Sequence, residues 1–195
     1  VSCRFVLVSG GEALRTRQDL LDAVQQEGWH PWLISGAEEG RLAWAAVKAH
    51  RLQTQWVIDL GGGSLQITSD RQAISLKLGA AHGDLAPETW PAWPIVNPVF
   101  IGGTAGALAH LWQKDHWDGA AYHQAYRKWE QNAGPDLGAQ LGDPVLERIL
   151  PHGLKVLDAL VQHYHLQTFA IDDRGLTEGL WLAASLGRGE AVKRT

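Results

Sequence analysis

The stretch that decides the fold is WVIDLGGGSLQIT, residues 56–68. Its first three residues are apolar and lead to the carboxylate of Asp59, and residues 65–68 are again rich in β-branched and apolar side chains. Both ends of the stretch therefore predict short strands. Three consecutive glycines separate them, and glycine is the residue that most often interrupts regular structure in a tight turn. The stretch predicts two strands that are joined by a glycine-rich turn.

The turn itself is a candidate phosphate-binding site. Gly61, Gly62 and Gly63 have no Cβ, so backbone N–H groups at this turn, which ends at Ser64, can converge on an anion. Asp59, at the end of the preceding strand, could hold a divalent cation beside that anion, directly or through water. The plainer alternative is a tight turn with an aspartate that faces solvent. Taken alone, the motif leaves both interpretations open.

A second glycine turn follows the apolar run at residues 99–101. Gly102, Gly103 and Thr104 come directly before a helix that we predict over residues 105–113. The N–H groups at a helix N-terminus and its positive dipole favour an anion. The alternative is an ordinary strand-to-helix turn with Thr104 as the N-cap. Two such turns in one chain favour phosphate binding between them.

The remaining segments alternate between strand-like and helix-like patterns, which predicts an α/β fold. The polar residues 51–55 are a plausible boundary, and they divide the chain into units 1–53 and 54–195. We expect residues 86–98, rich in Pro and Trp, to form an ordered loop without regular structure. The predicted strands are 3–8, 32–34, 56–59, 65–68, 73–78, 99–101 and 168–171. The predicted helices are 17–26, the segment behind Glu38-Glu39, 105–113, 122–131, 144–150, 154–164 and 176–186.

Two further side chains could take part in phosphate chemistry. One carboxylate of the pair Glu38-Glu39 could orient and deprotonate an attacking water, as phosphoryl transfer to water requires. The alternative is an acidic first turn of a helix, which the helix dipole favours. Arg15 could bind a phosphate oxygen, although an isolated arginine commonly lies on the solvated surface. The nine histidines show no spacing typical of metal ligands, and we assign them no metal site.

Composition excludes several classes of function. Of 195 residues, 45% are hydrophobic and 19% charged, a balance that is too apolar for intrinsic disorder. The formal net charge of −4 and the lack of a basic run argue against a nucleic-acid or anionic-membrane partner. No apolar run is long enough for a membrane span and no secretory signal is visible, so we expect a cytoplasmic protein. The chain opens at Val1, close to a predicted strand, and we expect part of the gene product to lie upstream.

The order of these motifs resembles the exopolyphosphatase and guanosine pentaphosphate phosphohydrolase (Ppx/GppA) family. The segments that carry the resemblance are, in chain order, ALR (13–15), ISGAEEGRL (34–42), VIDLGGGS (57–64), SLKLGA (75–80), GGT (102–104), LPHGL (150–154) and DRGLTEGL (173–180). The resemblance implies an actin-like, ribonuclease H-like, two-lobed ATPase-type fold with the active site between the lobes. Residues 1–53 would be the remainder of an incomplete first lobe. Residues 54–195 would form the C-terminal lobe, with the phosphate hairpin.

The resemblance also implies an activity and roles for individual residues. Members hydrolyse a terminal phosphoanhydride of polyphosphate or of guanosine pentaphosphate with a divalent cation, usually Mg²⁺, and dimers are common among them. By this similarity Glu39 matches the catalytic base, and Asp59 would place the metal ion or the water. Gly61 to Ser64 would cradle a phosphate, and Arg15 would bind the reacting phosphate.

The sequence also departs from the family pattern. The family's first phosphate loop is expected upstream of Val1, Gln66 stands where Glu is common, and Thr177 stands where Arg is usual. The Pro- and Trp-rich loop replaces a long helix. Two alternatives to the phosphohydrolase therefore remain open: an inactive homologue that senses phosphate or nucleotide, and an actin-like kinase lobe. The second alternative would not need the segment around Glu39.

Overall fold

The computed structural model describes residues 5–8, 18–81, 84–132 and 141–185. Its strands are β1 (Phe5–Val8), β2 (His30–Leu33), β3 (Val57–Leu60), β4 (Leu65–Thr68), β5 (Ala73–Leu76), β6 (Val99–Ile101), β7 (His116–Asp118) and β8 (Thr168–Ile171). Its α-helices are α1 (Gln18–Gln26), α2 (Gly36–His50), α3 (Gly103–Trp112), α4 (Gly119–Gln131), α5 (Pro144–His163) and α6 (Leu176–Ser185). One 3₁₀ turn, Pro87–Thr89, lies in the Pro- and Trp-rich loop.

The strands form two sheets. β1 and β2 pair in parallel, and the other six strands form a mixed sheet in the order β5-β4-β3-β6-β8-β7. β3, β6 and β8 are parallel, whereas β4 pairs antiparallel with both β3 and β5. Because the carboxyl ends of parallel strands meet at one sheet edge, the two glycine turns that follow β3 and β6 lie side by side.

Helices cover both faces of the six-stranded sheet. On one face Ile58, Leu60 and Phe100 belong to a large core that α3, α4 and α5 complete. On the other face Val57, Val99 and Ile101 pack with Ala43 and Val47 of α2. The alternation along β3 therefore directs Asp59 to the α2 face, at the end of the strand where the glycine turn begins. Helix α6 packs on α2.

Two elements differ from the sequence-based expectation. Residues 144–163 form one helix, whereas the sequence predicted two, at 144–150 and 154–164, with Pro151 between them. The helix begins at Pro144, as predicted, where Asp143 Oδ1 accepts hydrogen bonds from the backbone N–H groups of Val145 and Leu146. One proline removes one backbone hydrogen bond, and burial of a continuous apolar face outweighs that loss. Strand β7, at the edge of the sheet, was not predicted.

The loop between α2 and β3 contains the predicted boundary at residues 53 and 54, and that division of the chain remains a prediction. Within the described ranges no helix combines the length and the apolar character that crossing a membrane requires.

Candidate functional site

The site begins with Asp59, which is directed from β3 toward α2. Its pKa is raised from the ordinary 3.8 to about 6, first because burial disfavours the charged form and second because the Glu39 carboxylate is nearby. Two carboxylates from distant parts of the sequence thus influence each other at the end of β3. Such coupled acids are typical of sites that hold a proton or a cation.

Glu39 lies in the first turn of α2, and it contacts different groups from its neighbour Glu38. Glu38 completes a capping box: its Oε2 accepts hydrogen bonds from the Ser35 N–H at 2.6 Å and the Ser35 hydroxyl at 2.7 Å. In return, Ser35 Oγ accepts from the Glu38 N–H at 3.2 Å. Because the cap uses Glu38, Glu39 is the acid of the pair that is directed to the sheet. The simpler interpretation of the pair, a charged helix start, therefore fits Glu38 and not Glu39.

Gln66 connects Glu39 to the first glycine turn. It lies opposite Asp59 on β4 and is almost fully buried, with 2% of its surface exposed. Its Nε2 donates to Ser64 Oγ at 2.8 Å and lies 3.4 Å from both Glu39 Oε2 and Ser75 Oγ. Ser64, the last residue of the turn, is thus one side chain away from the Glu39 carboxylate.

The first glycine turn is held by its own hairpin and by the segment after β5. The Gly61 N–H donates to Ser64 O at 3.0 Å, and the N–H groups of Ala80 and Ala81 donate to Gly61 O and Gly62 O at 2.8 Å. A Cβ on Gly79 would collide with the backbone of Gly62. The segment 79–81 therefore holds the turn on one side, while Gly62 and Gly63 remain exposed.

The second turn meets the first at Asp59. Gly102 has a φ of +93°, and a Cβ there would lie 2.7 Å from Asp59 Oδ1 and 2.5 Å from Leu60 O, so this position requires glycine. Gly102 is the N-cap of α3, which begins at Gly103, and Thr104 therefore does not cap the helix. Thr104 is buried instead, and its Oγ1 has no hydrogen-bond partner. Gly103 is exposed at the helix N-terminus.

The donor set fits a hard cation that keeps most of its water. Asp59 and Glu39 supply carboxylate oxygens, and Mg²⁺ characteristically takes one or two carboxylates together with water and substrate phosphate oxygens. Within the described residues no group of three or more His, Cys, Asp or Glu side chains forms a closed metal cage. Two carboxylates beside a glycine-rich turn match the more open kind of site.

Most of the residues singled out from the sequence thus lie at one sheet edge. Gln66 links Glu39 to Ser64 and lies opposite Asp59 on the neighbouring strand, while Gly102 approaches Asp59. Arg15 lies outside the described residues. The roles of all these residues remain predictions.

Three residues that contact the site were not assigned a role from the sequence. Gln66 contacts both Glu39 and Ser64, Ser75 lies beside Gln66, and Gly79 packs against the backbone of the first glycine turn. The register of two short hairpins, which places Ser75, Gln66 and Asp59 in one row, is the signal that could have indicated the first two.

Solved structures with the same fold match this chain over nearly its whole length. A Ppx/GppA family member from Aquifex aeolicus superposes with a TM-score of 0.72 at 18% identity, over 96% of this chain and 74% of that one. An exopolyphosphatase from Cytophaga hutchinsonii gives 0.68 at 14% identity, over 91% and 74%. An exopolyphosphatase-like protein gives 0.69 at 16% identity, over 95% and 78%. By sequence, no family model and no curated protein matches the chain. The chain has the α/β, actin-like fold of these proteins, as predicted.

Proposed function

We propose that this chain is a divergent member of the Ppx/GppA family and hydrolyses a terminal phosphoanhydride of polyphosphate or guanosine pentaphosphate. The observation that carries the proposal is the meeting of Glu39 and Asp59 at the sheet edge from which both glycine turns project. The solved proteins of the same fold include an exopolyphosphatase, which supports this substrate class.

The chemistry follows from the positions of the groups. Exposed N–H groups of Gly62, Gly63 and the start of α3 bind the phosphate oxygens, because a chain of net charge −4 cannot hold a polyanion by its overall field. Glu39 orients a water for in-line attack on the terminal phosphorus and accepts its proton. The bond from that phosphorus to the bridging oxygen breaks, and the shortened phosphate chain leaves. The transition state is loose, so positioning contributes most of the rate.

A divalent cation fits beside these groups. Asp59 would hold it, and when bound the cation supplies positive charge that neutralises the phosphate oxygens. The raised pKa of Asp59 favours this assignment, since an approaching cation would restore its ionised form at neutral pH.

The test uses a pair of adjacent carboxylates. Glu39→Gln should lower the rate of phosphate release from polyphosphate with Mg²⁺ at least about a hundredfold, the usual scale for loss of a general base. Glu38→Gln is the matched control: it should cost about 1 kcal/mol of unfolding free energy through the weakened cap and leave turnover within about twofold. Equal turnover in the Glu39→Gln variant and the unmodified chain would refute the role of Glu39.

The same assay separates the enzyme from the sensor. Polyphosphate that binds to the unmodified chain with no release of phosphate over hours would favour the inactive phosphate-binding homologue. Parallel assays with guanosine pentaphosphate and with polyphosphate, compared by kcat/KM, identify the preferred substrate. Transfer of the phosphate to an acceptor other than water would favour the kinase alternative.

A further inference from the structure

Gln66 occupies a central position in the site, although an amide performs no acid–base chemistry. It is almost fully buried on β4, and its Nε2 has three oxygen neighbours: Ser64 Oγ at 2.8 Å, Glu39 Oε2 at 3.4 Å and Ser75 Oγ at 3.4 Å. A carboxylate oxygen accepts hydrogen bonds, so the NH₂ end of the amide is the end that faces Glu39 Oε2.

Donor counting shows what this amide can do. An NH₂ group has two hydrogens, so Gln66 can bind two of its three neighbours at a time. The short contact to Ser64 takes one hydrogen, and Glu39 and Ser75 compete for the other. The bond to Glu39 is therefore incomplete in the present arrangement, at a distance beyond the usual range for N–H···O bonds.

We propose that Gln66 is a positioning residue that couples occupancy of the first glycine turn to the orientation of Glu39. This inference rests on the proposed function, because it requires that a phosphate binds at Ser64. A bound phosphate oxygen accepts the single hydroxyl hydrogen of Ser64, which leaves the Ser64 lone pairs to accept from Gln66 Nε2. Each bond in such a chain polarises the next.

The consequence is that a filled turn holds the base more firmly than an empty one. The bond from Gln66 to Ser64 is already present, and its strengthening restricts the plane of the amide further, so that the second hydrogen is directed at the Glu39 carboxylate in preference to the neutral Ser75. Charge-assisted hydrogen bonds are roughly twice as strong as neutral ones, which decides that competition.

The first test observes the amide directly. In ¹⁵N-labelled protein with Mg²⁺, the non-hydrolysable probe methylenediphosphonate should shift the Gln66 side-chain NH₂ resonances and slow their exchange with water at least threefold. In Ser64→Ala, the backbone amides of Gly62 and Gly63 should still respond to the probe while the Gln66 NH₂ group does not.

The outcomes separate the two proposals. Shifts at Gly62 and Gly63 without a response of Gln66, or a Gln66 response that persists in Ser64→Ala, would overturn the coupling and leave the proposed function intact. If the glycine amides do not respond in any variant, the phosphate site itself is wrong and the coupling fails with it.

The second test is kinetic. Gln66→Met keeps the side-chain volume and removes the amide, so kcat should fall about tenfold to a hundredfold, the scale of a misplaced reacting group, with KM within about twofold. Thr68→Val is the matched control, because Thr68 is equally buried on the same face of β4 and makes no hydrogen bond through its Oγ1. Its kcat should stay within about twofold. A rise in KM with unchanged kcat in Gln66→Met would show that Gln66 shapes only the binding surface, and would overturn the proposal.

Discussion

Burial of the Asp59 carboxyl lowers the free energy of unfolding when this group is ionised. Its carboxyl lies between the backbone of Gly102 and the α2 face, and the nearby Glu39 adds a like charge. The folded state therefore binds a proton at Asp59 more tightly than the unfolded state does. Between pH 3.8 and about 6 the folded chain carries the extra proton, so stability falls as the pH rises through this interval, and the full cost remains above it.

We predict that Asp59→Asn stabilises the chain when divalent cations are chelated. At pH 7.5 the gain in unfolding free energy should reach up to about 3 kcal/mol, which corresponds to a pKa raised from 3.8 to about 6. At pH 4.5 it should shrink to about 1 kcal/mol, because folded Asp59 is then mostly protonated. Urea unfolding at both pH values measures the difference. Asp70→Asn, in the exposed turn after β4, serves as the control with no expected change. A gain that is independent of pH would contradict the electrostatic explanation.

Individual site residues could be predicted only where their chemistry is local. Three glycines after an acid indicate a tight turn that could bind phosphate, and the acidic pair at residues 38 and 39 is visible as a pair. The family resemblance singled out Glu39, but the local pattern could not show that Glu38 forms the cap, because that division depends on which way α2 faces the sheet. The role of Gln66 depends on the register of β3 and β4.

At the level of elements, close packing between helices and turns fixes the second glycine turn, residues 102–104. Gly153, within α5, contacts Thr104 at the start of α3: a Cβ at Gly153 would lie 2.9 Å from Thr104 Cγ2 and 3.1 Å from the Ala80 Cβ. Ala80 in turn donates its N–H to Gly61 O. Through this contact α5 supports both glycine turns at once.

We predict opposite effects for two helix glycines that are replaced by alanine. Gly153→Ala should cost about 1–3 kcal/mol of unfolding free energy, the usual penalty for overpacking a buried contact, and should weaken phosphate binding. Gly106→Ala, in α3, meets open space and should gain up to about 1 kcal/mol from helix propensity. Urea denaturation measures both. If Gly153→Ala is as stable as the unmodified chain, α3 and α5 can separate without cost and do not position the turn.

The elements themselves were predictable where periodicity is strong and not where tertiary packing overrides a local rule. Pro151 and Gly153 both disfavour helix, yet buried Leu150, Leu154 and Leu157 keep α5 continuous past them. Strand β7 has three residues, of which only Trp117 is buried, and it exists because its backbone pairs with β8. Neither effect can be recognised from a short window of sequence.

At the scale of the whole molecule, α2 crosses the six-stranded sheet and connects its two halves. Its first turn lies over β4 and β5, where a Cβ on Gly36 would meet Ser75, and its C-cap Arg51 reaches the end of β8. The alternating pattern of strands and helices predicted the α/β class. The path of α2 across the sheet could not be predicted, because it depends on contacts between residues more than a hundred positions apart.

Arg51 holds this connection through a buried ion pair. Its Nε lies 2.7 Å from Asp172 Oδ2, and its Nη2 donates to Ile171 O at 3.1 Å. The Asp172 side chain is 2% exposed and also contacts Arg174 Nη1 at 3.1 Å. Burial alone would raise the pKa of Asp172, but the hydrogen bonds from Arg51 and from the Arg174 backbone, together with both positive charges, lower it overall. Its ionised form therefore stabilises the fold at neutral pH, and this contribution is lost as the pH falls through the lowered value.

We predict that Arg51→Met destabilises the chain by about 2–4 kcal/mol at pH 7, because it leaves a buried carboxylate with Arg174 as its remaining partner. Adding Asp172→Asn removes the charge, so the double variant should be less destabilised than the two single changes added together by about 1–3 kcal/mol. Arg127→Met, which breaks an exposed pair with Glu130, is the matched control and should change stability by less than about 0.5 kcal/mol. Strictly additive effects in this double-mutant cycle would mean that Arg51 contributes only its packing, and that the pair does not fasten α2 to β8.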